Sequence, residues 1–102
     1  MSKILIQIPC FNEETVIKNT LFEIRKYIHE YKNIEILIID DGSTDDTVKI
    51  AKENNVNHIL SHPTNIGLGL AFQSGLDFAK KNNFDYLINI DADNQYKPEF
   101  IS

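Results

Sequence analysis

The run Glu35-Ile-Leu-Ile-Ile-Asp-Asp-Gly-Ser-Thr44 decides the fold. Four consecutive large aliphatic residues, Ile36 to Ile39, make both faces of an extended segment apolar. Such a strand, here Glu35 to Asp40, belongs in the middle of a sheet covered on both sides, the usual setting of parallel strands. Asp41-Gly42 then turns the chain. Ser43-Thr44-Asp45-Asp46 follows with capping oxygens and first-turn acids, which open a helix.

Working outward, Lys3 to Ile8 is apolar and rich in β-branched residues, and Pro9 bounds it as a first strand. Asn12-Glu13-Glu14-Thr15 reads as a helix start, with Asn12 as cap and two acids where the dipole favours them. Ile17, Leu21, Ile24, Ile28 and Tyr31 recur in steps of four and three and form its apolar face. Lys18, Glu23, Lys26, His29 and Glu30 form a solvated face. The second helix is short, through Val48 and Ala51, and ends at Asn54-Asn55. His58-Ile-Leu-Ser61 is a third strand, and His62-Pro-Thr-Asn-Ile-Gly67 a loop in which Pro63 bars helix. Leu68, Phe72, Leu76 and Ala79 mark the expected buried face of a third helix, which Lys80-Lys81-Asn82-Asn83 ends. The apolar run from Tyr86 is a fourth strand that ends in Asp91 and Asp93. Lys97-Pro-Glu-Phe-Ile101 begins a further helix, with Pro98 suited to its first position. Four strands alternating with three helices imply a Rossmann-like three-layer α/β/α fold with a mostly parallel sheet, one domain over residues 1–102. There is no internal repeat and no linker.

The 102 residues are 42% hydrophobic and 25% charged, an ordinary globular balance. A formal charge of −5, with no Lys/Arg stripe, excludes a nucleic-acid partner. An acidic protein that binds phosphate needs a cation to hold it. Cys10 is the single cysteine, so no internal disulfide forms; beside Pro9 it reads as a buried, inert thiol. No signal peptide and no membrane-length apolar run is present, which gives a cytoplasmic expectation.

The unusual residues collect at strand ends, where ligands bind in open α/β sheets. Strand one supplies Pro9-Cys-Phe-Asn-Glu-Glu14, strand two Asp40-Asp-Gly-Ser-Thr44, strand three His62 to Gly69, strand four Asp91-Ala-Asp-Asn-Gln95. A bare D-x-D is a common spacing. Two acids closing a buried strand repel each other and lose solvation, however, unless a cation compensates. All-oxygen ligands suit Mg²⁺ or Mn²⁺ and not zinc, and His58 and His62 read as surface histidines. Asp40-Asp41-Gly-Ser-Thr is readable as turn plus cap, but one acid or hydroxyl suffices for capping and the doublet is left over. A carboxylate there can accept from a ribose hydroxyl or a base N–H, which favours uridine or guanosine nucleotides over cytidine. Gly67-Leu-Gly69 at a helix start allows a phosphate close to backbone N–H groups. It is not the dinucleotide fingerprint, whose third glycine would fall at Phe72, and no Walker A motif exists. The plain alternative is a flexible turn, with Gly75 packing the helix closely.

Taken together, Ile8-Pro-Cys-Phe-Asn-Glu-Glu14, Ile39-Asp-Asp-Gly-Ser-Thr-Asp-Asp-Thr47, Asn65-Ile-Gly-Leu-Gly69 with Gly75, and Asp91-Ala-Asp-Asn-Gln95 resemble a family 2 glycosyltransferase with the GT-A, nucleotide-diphospho-sugar transferase fold. The resemblance is strongest to the branch of dolichol-phosphate mannose synthase and other polyprenyl-phosphate glycosyltransferases. It covers essentially the whole chain in the family's order. It implies that Pro9, Phe11 and Glu13 line the base and ribose pocket, that Asp41 reads the base with support from Asp40, and that Gly67 and Gly69 approach the phosphates. It further implies that Asp93 coordinates the Mg²⁺ or Mn²⁺ on the donor diphosphate, with Asp91 helping through the metal or the sugar and Gln95 within reach of it. Phe11 departs from a common tyrosine, losing a hydroxyl but keeping a stacking face. Thr64 departs from a basic residue that many relatives carry before the Asn-x-Gly.

The implied activity is metal-assisted inverting transfer from a UDP- or GDP-sugar, with a polyprenyl phosphate as acceptor and the intact protein at the cytosolic face of a membrane. Asp77 and Asp85 lie on the wrong face or end to act as base, so a catalytic base is expected beyond Ser102. On that reading the chain is the donor-binding portion, inactive alone, with exposed sheet surface that promotes self-association. The alternative is a non-catalytic nucleotide-binding or interaction module on the same fold. A phosphoacceptor receiver domain would place its acid pair after strand one, where Asn12-Glu13 stand instead.

Overall fold

A computed structural model describes residues 2–92. Four strands, β1 (Ile4–Cys10), β2 (Ile34–Asp41), β3 (His58–His62) and β4 (Tyr86–Asn89), alternate with α1 (Ile17–Ile28), α2 (Thr47–Glu53) and α3 (Leu68–Lys81). All pairings are parallel and the sheet order is β3-β2-β1-β4. The chain steps outward from β1 to β3, then returns through α3 to the far side of β1. Reversing direction with one crossover hand moves the connecting helix to the other face. The packing follows that rule. Ile6, Ile8, Ile36 and Ile38 meet Ile17, Leu21 and Ile24 of α1 and Ala51 of α2 on one face. Leu5, Leu37 and Ile39 meet Ala71 and Ala79 of α3 on the other. The expected parallel three-layer fold is the one observed.

Apolar burial on both faces explains why β1 and β2 are central: Leu5, Ile6, Ile8 and Leu37 to Ile39 are all fully enclosed. Each such side chain contributes roughly 1.5–3 kcal/mol of transfer free energy. α2 and α3 end as the sequence predicts. Asn55 and Asn83 adopt left-handed φ of 58° and 61° one residue past the caps Asn54 and Asn82, a conformation asparagine tolerates and helix termination uses.

Three local expectations are corrected. Asn12 does not cap α1: it has φ 53°, and the helix starts at Ile17. Tyr31 lies beyond the end of α1 and is exposed, so it takes no part in the buried face. Ser43 and Thr44 do not cap α2, which starts at Thr47; the Asp45 carboxylate instead accepts the Thr47 N–H at 3.0 Å.

α3 buries Ala79 as expected, but the rest of its buried stripe differs. Ala71, Gly75 and Ala79 face the sheet, whereas Leu68 is 65% exposed and Phe72 is exposed. The cause is close approach. A Cβ on Gly75 would overlap Gln7 Oε1 and come within 2.7 Å of Ile39 Cδ1, so only small side chains fit there. Gln7 is itself fully buried in β1; its Nε2 donates to Asn89 Oδ1 at 2.9 Å, and its Oε1 has no hydrogen-bond partner among the described residues. The expected helix at Lys97–Ile101 lies outside the described residues.

Candidate functional site

Parallel strands reverse their outward order at β1, and the crevice between β1 and β4 opens at their C-terminal ends. A cavity of about 360 Å³ lies at this rim. It is lined by Pro9 near the end of β1 with Phe11 and Glu13 after it, Asp41 at the end of β2, Asn65 and Gly67 before α3 with Leu68 at its start, and Asp91 and Ala92 after β4. Six predicted site residues, Pro9, Phe11, Glu13, Asp41, Gly67 and Asp91, therefore meet in one place. A groove of about 400 Å³ runs along α1 to the end of α2, but its lining, Thr15, Lys18, Asn19, Phe22, Arg25 and Asn54, has no carboxylate and no strand end. The rim cavity is the chemically equipped one.

Hydrogen bonds sew the rim loops together. The Asn12 N–H donates to Ser43 Oγ and the Thr44 N–H to Asn12 Oδ1, at 2.9 and 2.8 Å. The Glu13 N–H donates to Thr47 Oγ1 at 2.9 Å, and the Glu14 N–H to Asp45 Oδ2 at 3.2 Å. This is what Asn12 and Ser43 do instead of capping. On the other side of the rim, Thr20 of α1, fully buried, donates its hydroxyl to the Ala92 carbonyl at 2.6 Å. That bond fixes the chain next to Asp91.

The Asp40/Asp41 doublet divides between the two faces, as consecutive strand residues must. Asp40 accepts the Ser43 N–H at 3.1 Å, closing the turn, and does not line the cavity. Asp41, buried at the cavity edge, accepts the Ile66 N–H on Oδ1 at 3.0 Å and the Gly67 N–H on Oδ2 at 2.9 Å. His62 Nδ1 is also 2.9 Å from Asp41 Oδ1. These contacts give the doublet a structural use that capping alone did not supply. Burial by itself raises the Asp41 carboxyl; the Ile66 amide, His62 and the Gly67 amide outweigh it and hold the group below its ordinary value. Asp45 behaves alike, since the hydroxyl and amide of Thr47 overcome its desolvation.

His62 is the residue that sequence reasoning passed over. It closes β3 rather than opening a surface loop, is half-buried, and lies between Asp41 and Ser74 Oγ, the latter 3.0 Å from Nε2. Its partners are 21 and 12 residues away, so no local pattern marks it. Gly67 has φ 98° and introduces α3; Gly69 lies in the first turn, with open space where a Cβ would project. Cys10 is buried, and burial first, then Glu13, Asp40 and Asp45, push its thiol far up, which leaves it inert. Asp91 is the described member of the expected metal set; Asp93 and Gln95 lie outside the described residues. Among the described residues no three His, Cys, Asp or Glu side chains gather as a metal site, and no helix is long and apolar enough to cross a membrane.

The fold is that of GT-A type glycosyltransferases. A mannosyltransferase from Pyrobaculum calidifontis, solved with GDP-Man and Mn²⁺, superposes with TM-score 0.75 at 21% identity, covering 89% of this chain and 27% of its own. Glucosyl-3-phosphoglycerate synthase from Mycobacterium tuberculosis, solved with Mn²⁺, UDP and glucosyl-3-phosphoglycerate, gives 0.76 at 24% identity, covering 98% and 37%. The sequence narrows the class: residues 5–102 match the model of glycosyl transferase family 2, and the chain belongs to that family. Similar curated proteins include the polyprenol monophosphomannose synthase of Mycolicibacterium smegmatis, 30% identical over 96% of this chain and 38% of that one. A UDP-N-acetylglucosamine–dolichyl-phosphate N-acetylglucosaminyltransferase of Methanococcus voltae is 36% identical over 97% and 44%. The chain thus spans well under half the length of these relatives.

Proposed function

We propose that this chain forms the donor-binding portion of a glycosyltransferase that takes its sugar from a UDP- or GDP-sugar and passes it to a polyprenyl phosphate by inverting displacement. The observation that carries this reading is the convergence of Phe11, Glu13, Asp41, Gly67 and Asp91 on one cavity at the topological switch of the sheet. Phe11, 41% exposed at its mouth, offers a face on which a base can stack. Glu13 and Asp41 supply acceptors for ribose hydroxyls and a base N–H. The left-handed turn at Gly67 brings backbone close to the diphosphate, and Gly69 leaves room beside it.

Asp91, with Asp93 and Gln95, would hold a Mg²⁺ or Mn²⁺; the oxygen donor set and the half-buried position of Asp91 at the cavity suit a hard cation. Such a cation supplies Lewis-acid stabilisation of the departing diphosphate. The two solved neighbours bound to Mn²⁺ with GDP-Man or UDP support both the metal and the donor class. The relatives named for polyprenol and dolichyl phosphate support the acceptor; a cytoplasmic chain working at the cytosolic face of a membrane is part of the same proposal. On this reading the chain binds donor without turning it over: Asp77 and Asp85 do not line the cavity, and the carboxylates that do, Glu13, Asp41 and Asp91, are engaged with nucleotide and metal.

Titration calorimetry with UDP and GDP, with and without Mn²⁺, tests the reading. Metal-dependent binding of either nucleotide, abolished by Asp93→Ala, is expected. Absence of binding to both, or binding unchanged by Asp93→Ala, would sink it.

A further inference from the structure

An ionised carboxylate only accepts hydrogen bonds, and Asp41 is surrounded by donors: two backbone N–H groups of the β3–α3 loop and one ring nitrogen of His62. The nitrogen facing Asp41 is Nδ1, so that atom carries the proton. In the neutral ring Nε2 is then an acceptor, 3.0 Å from Ser74 Oγ. The Ser74 hydroxyl has a single proton, for which Nε2 and the Leu70 carbonyl at 3.1 Å compete, so Ser74 seats the ring against α3 while Asp41 selects its tautomer. A chain of hydrogen bonds thus runs from α3 through the end of β3 to the end of β2, and from Asp41 to the loop carrying Asn65 and Gly67, which line the cavity. Without His62, Asp41 Oδ1 keeps one donor, and the carboxylate can rotate away from the loop it holds.

We propose that His62 is a positioning residue: it acts through Asp41 to clamp the Asn65–Gly67 wall of the cavity, with the Asp41 carboxylate holding the ring proton on Nδ1. Its consequence for nucleotide affinity rests on the donor-site reading above. The role belongs to the geometry of three elements and involves no contact between His62 and ligand.

The test uses the 102-residue chain and three variants, His62→Ala, His62→Asn and Ser74→Ala. Long-range ¹⁵N–¹H correlation of the imidazole in the unsubstituted protein should show the proton on Nδ1, and Ser74→Ala should leave it there, since Asp41 sets the tautomer. Hydrogen exchange of the Ile66 and Gly67 amides should accelerate on the order of tenfold or more in His62→Ala, while amides of β1 and β2 stay protected. His62→Asn keeps an amide donor at about the position of Nδ1 and should restore most of that protection. UDP and GDP affinity, measured with Mn²⁺, should fall on the order of tenfold in His62→Ala, equivalent to one lost hydrogen bond, and recover in His62→Asn. An Nε2–H tautomer in the unsubstituted protein, or unchanged Ile66 and Gly67 exchange in His62→Ala, overturns the proposal. So does nucleotide affinity in His62→Ala equal to that of a parent chain that binds. A parent chain that binds no nucleotide overturns the donor-site reading instead, and the exchange data alone then decide whether His62 holds the loop.

Discussion

Gly42 stands where β2 turns toward α2, with φ 80°, and a Cβ there would come within 2.5 Å of the Asn65 nitrogen and the Thr64 carbonyl carbon. Both the torsion and the backbone contact exclude a side chain, so Gly42→Ala is expected to cost about 1–3 kcal/mol or more, read as a lower urea midpoint. Gly69 gives the opposite expectation. Its Cβ direction is open and it lies in the first turn of α3, so Gly69→Ala should stabilise the chain by about 0.4–1 kcal/mol. If a donor phosphate approaches that turn, the same variant should weaken nucleotide binding while raising the urea midpoint, a split that simple misfolding does not produce. Asp41 and Asp45 both have carboxyls held below the ordinary value of 3.8. Their stabilisation is therefore present above that value and lost as pH falls through the lower folded values. Near-UV circular dichroism and urea unfolding should show stability falling below about pH 4, and Asp45→Asn should flatten that acid limb while lowering stability at pH 7. The Asp40/Asp41 doublet was legible as unusual from sequence. Its destination was not, because the donors that claim Asp41 lie 25 and 26 residues further on.

Strands were the easy elements to read, since runs such as Ile36 to Ile39 admit few alternatives in a chain punctuated by Gly, Pro and Asn. Helix starts were harder. Asn12, Ser43 and Thr44 have the chemistry of caps, yet two loops compete for the same groups, and hydrogen bonds between loops 31 and 32 residues apart win. The face of α3 was misread for another reason: counting large apolar residues finds Leu68 and Phe72, whereas the helix packs where residues are smallest. Gly75→Ala should accordingly destabilise by about 1–3 kcal/mol, since Gln7 and Ile39 must both shift. Replacing Gln7 by Ala in the same chain should recover part of that loss, and strict additivity of the two changes would refute the steric explanation. α1 contributes to the site through Thr20. Thr20→Val keeps the shape and removes the donor to the buried Ala92 carbonyl, which should cost about 1–3 kcal/mol. Because Ala92 adjoins Asp91, Mn²⁺-dependent nucleotide binding should weaken more than metal-free binding.

At the scale of the molecule, two features favour contact with other chains. Among the described residues the sheet has open edges at β3 and β4, and the segment entering α3 exposes Ile66, Leu68, Leu70 and Phe72 close to one another in sequence. Polar groups His58, Ser61 and His62 line the short β3 edge, and β4 is only four residues long, so neither edge alone offers a long template. The aliphatic and aromatic side chains of α3 are the stronger driver, since an apolar cluster beside a polar rim loses free energy by meeting another apolar surface. Opposing them is a formal charge of −5, which repels like copies at low ionic strength. We therefore expect reversible self-association of the 102-residue chain that grows with concentration and is strengthened by salt, because screening removes the repulsion and leaves the apolar contact intact. Sedimentation velocity from micromolar to near-millimolar protein, at low and high salt, measures this directly. Leu68→Ser combined with Leu70→Ser should return the chain to monomer, since both side chains project from α3 without entering the core. A monomer across the whole range refutes the expectation, and association that weakens with salt would assign it to charge pairing instead of the α3 surface.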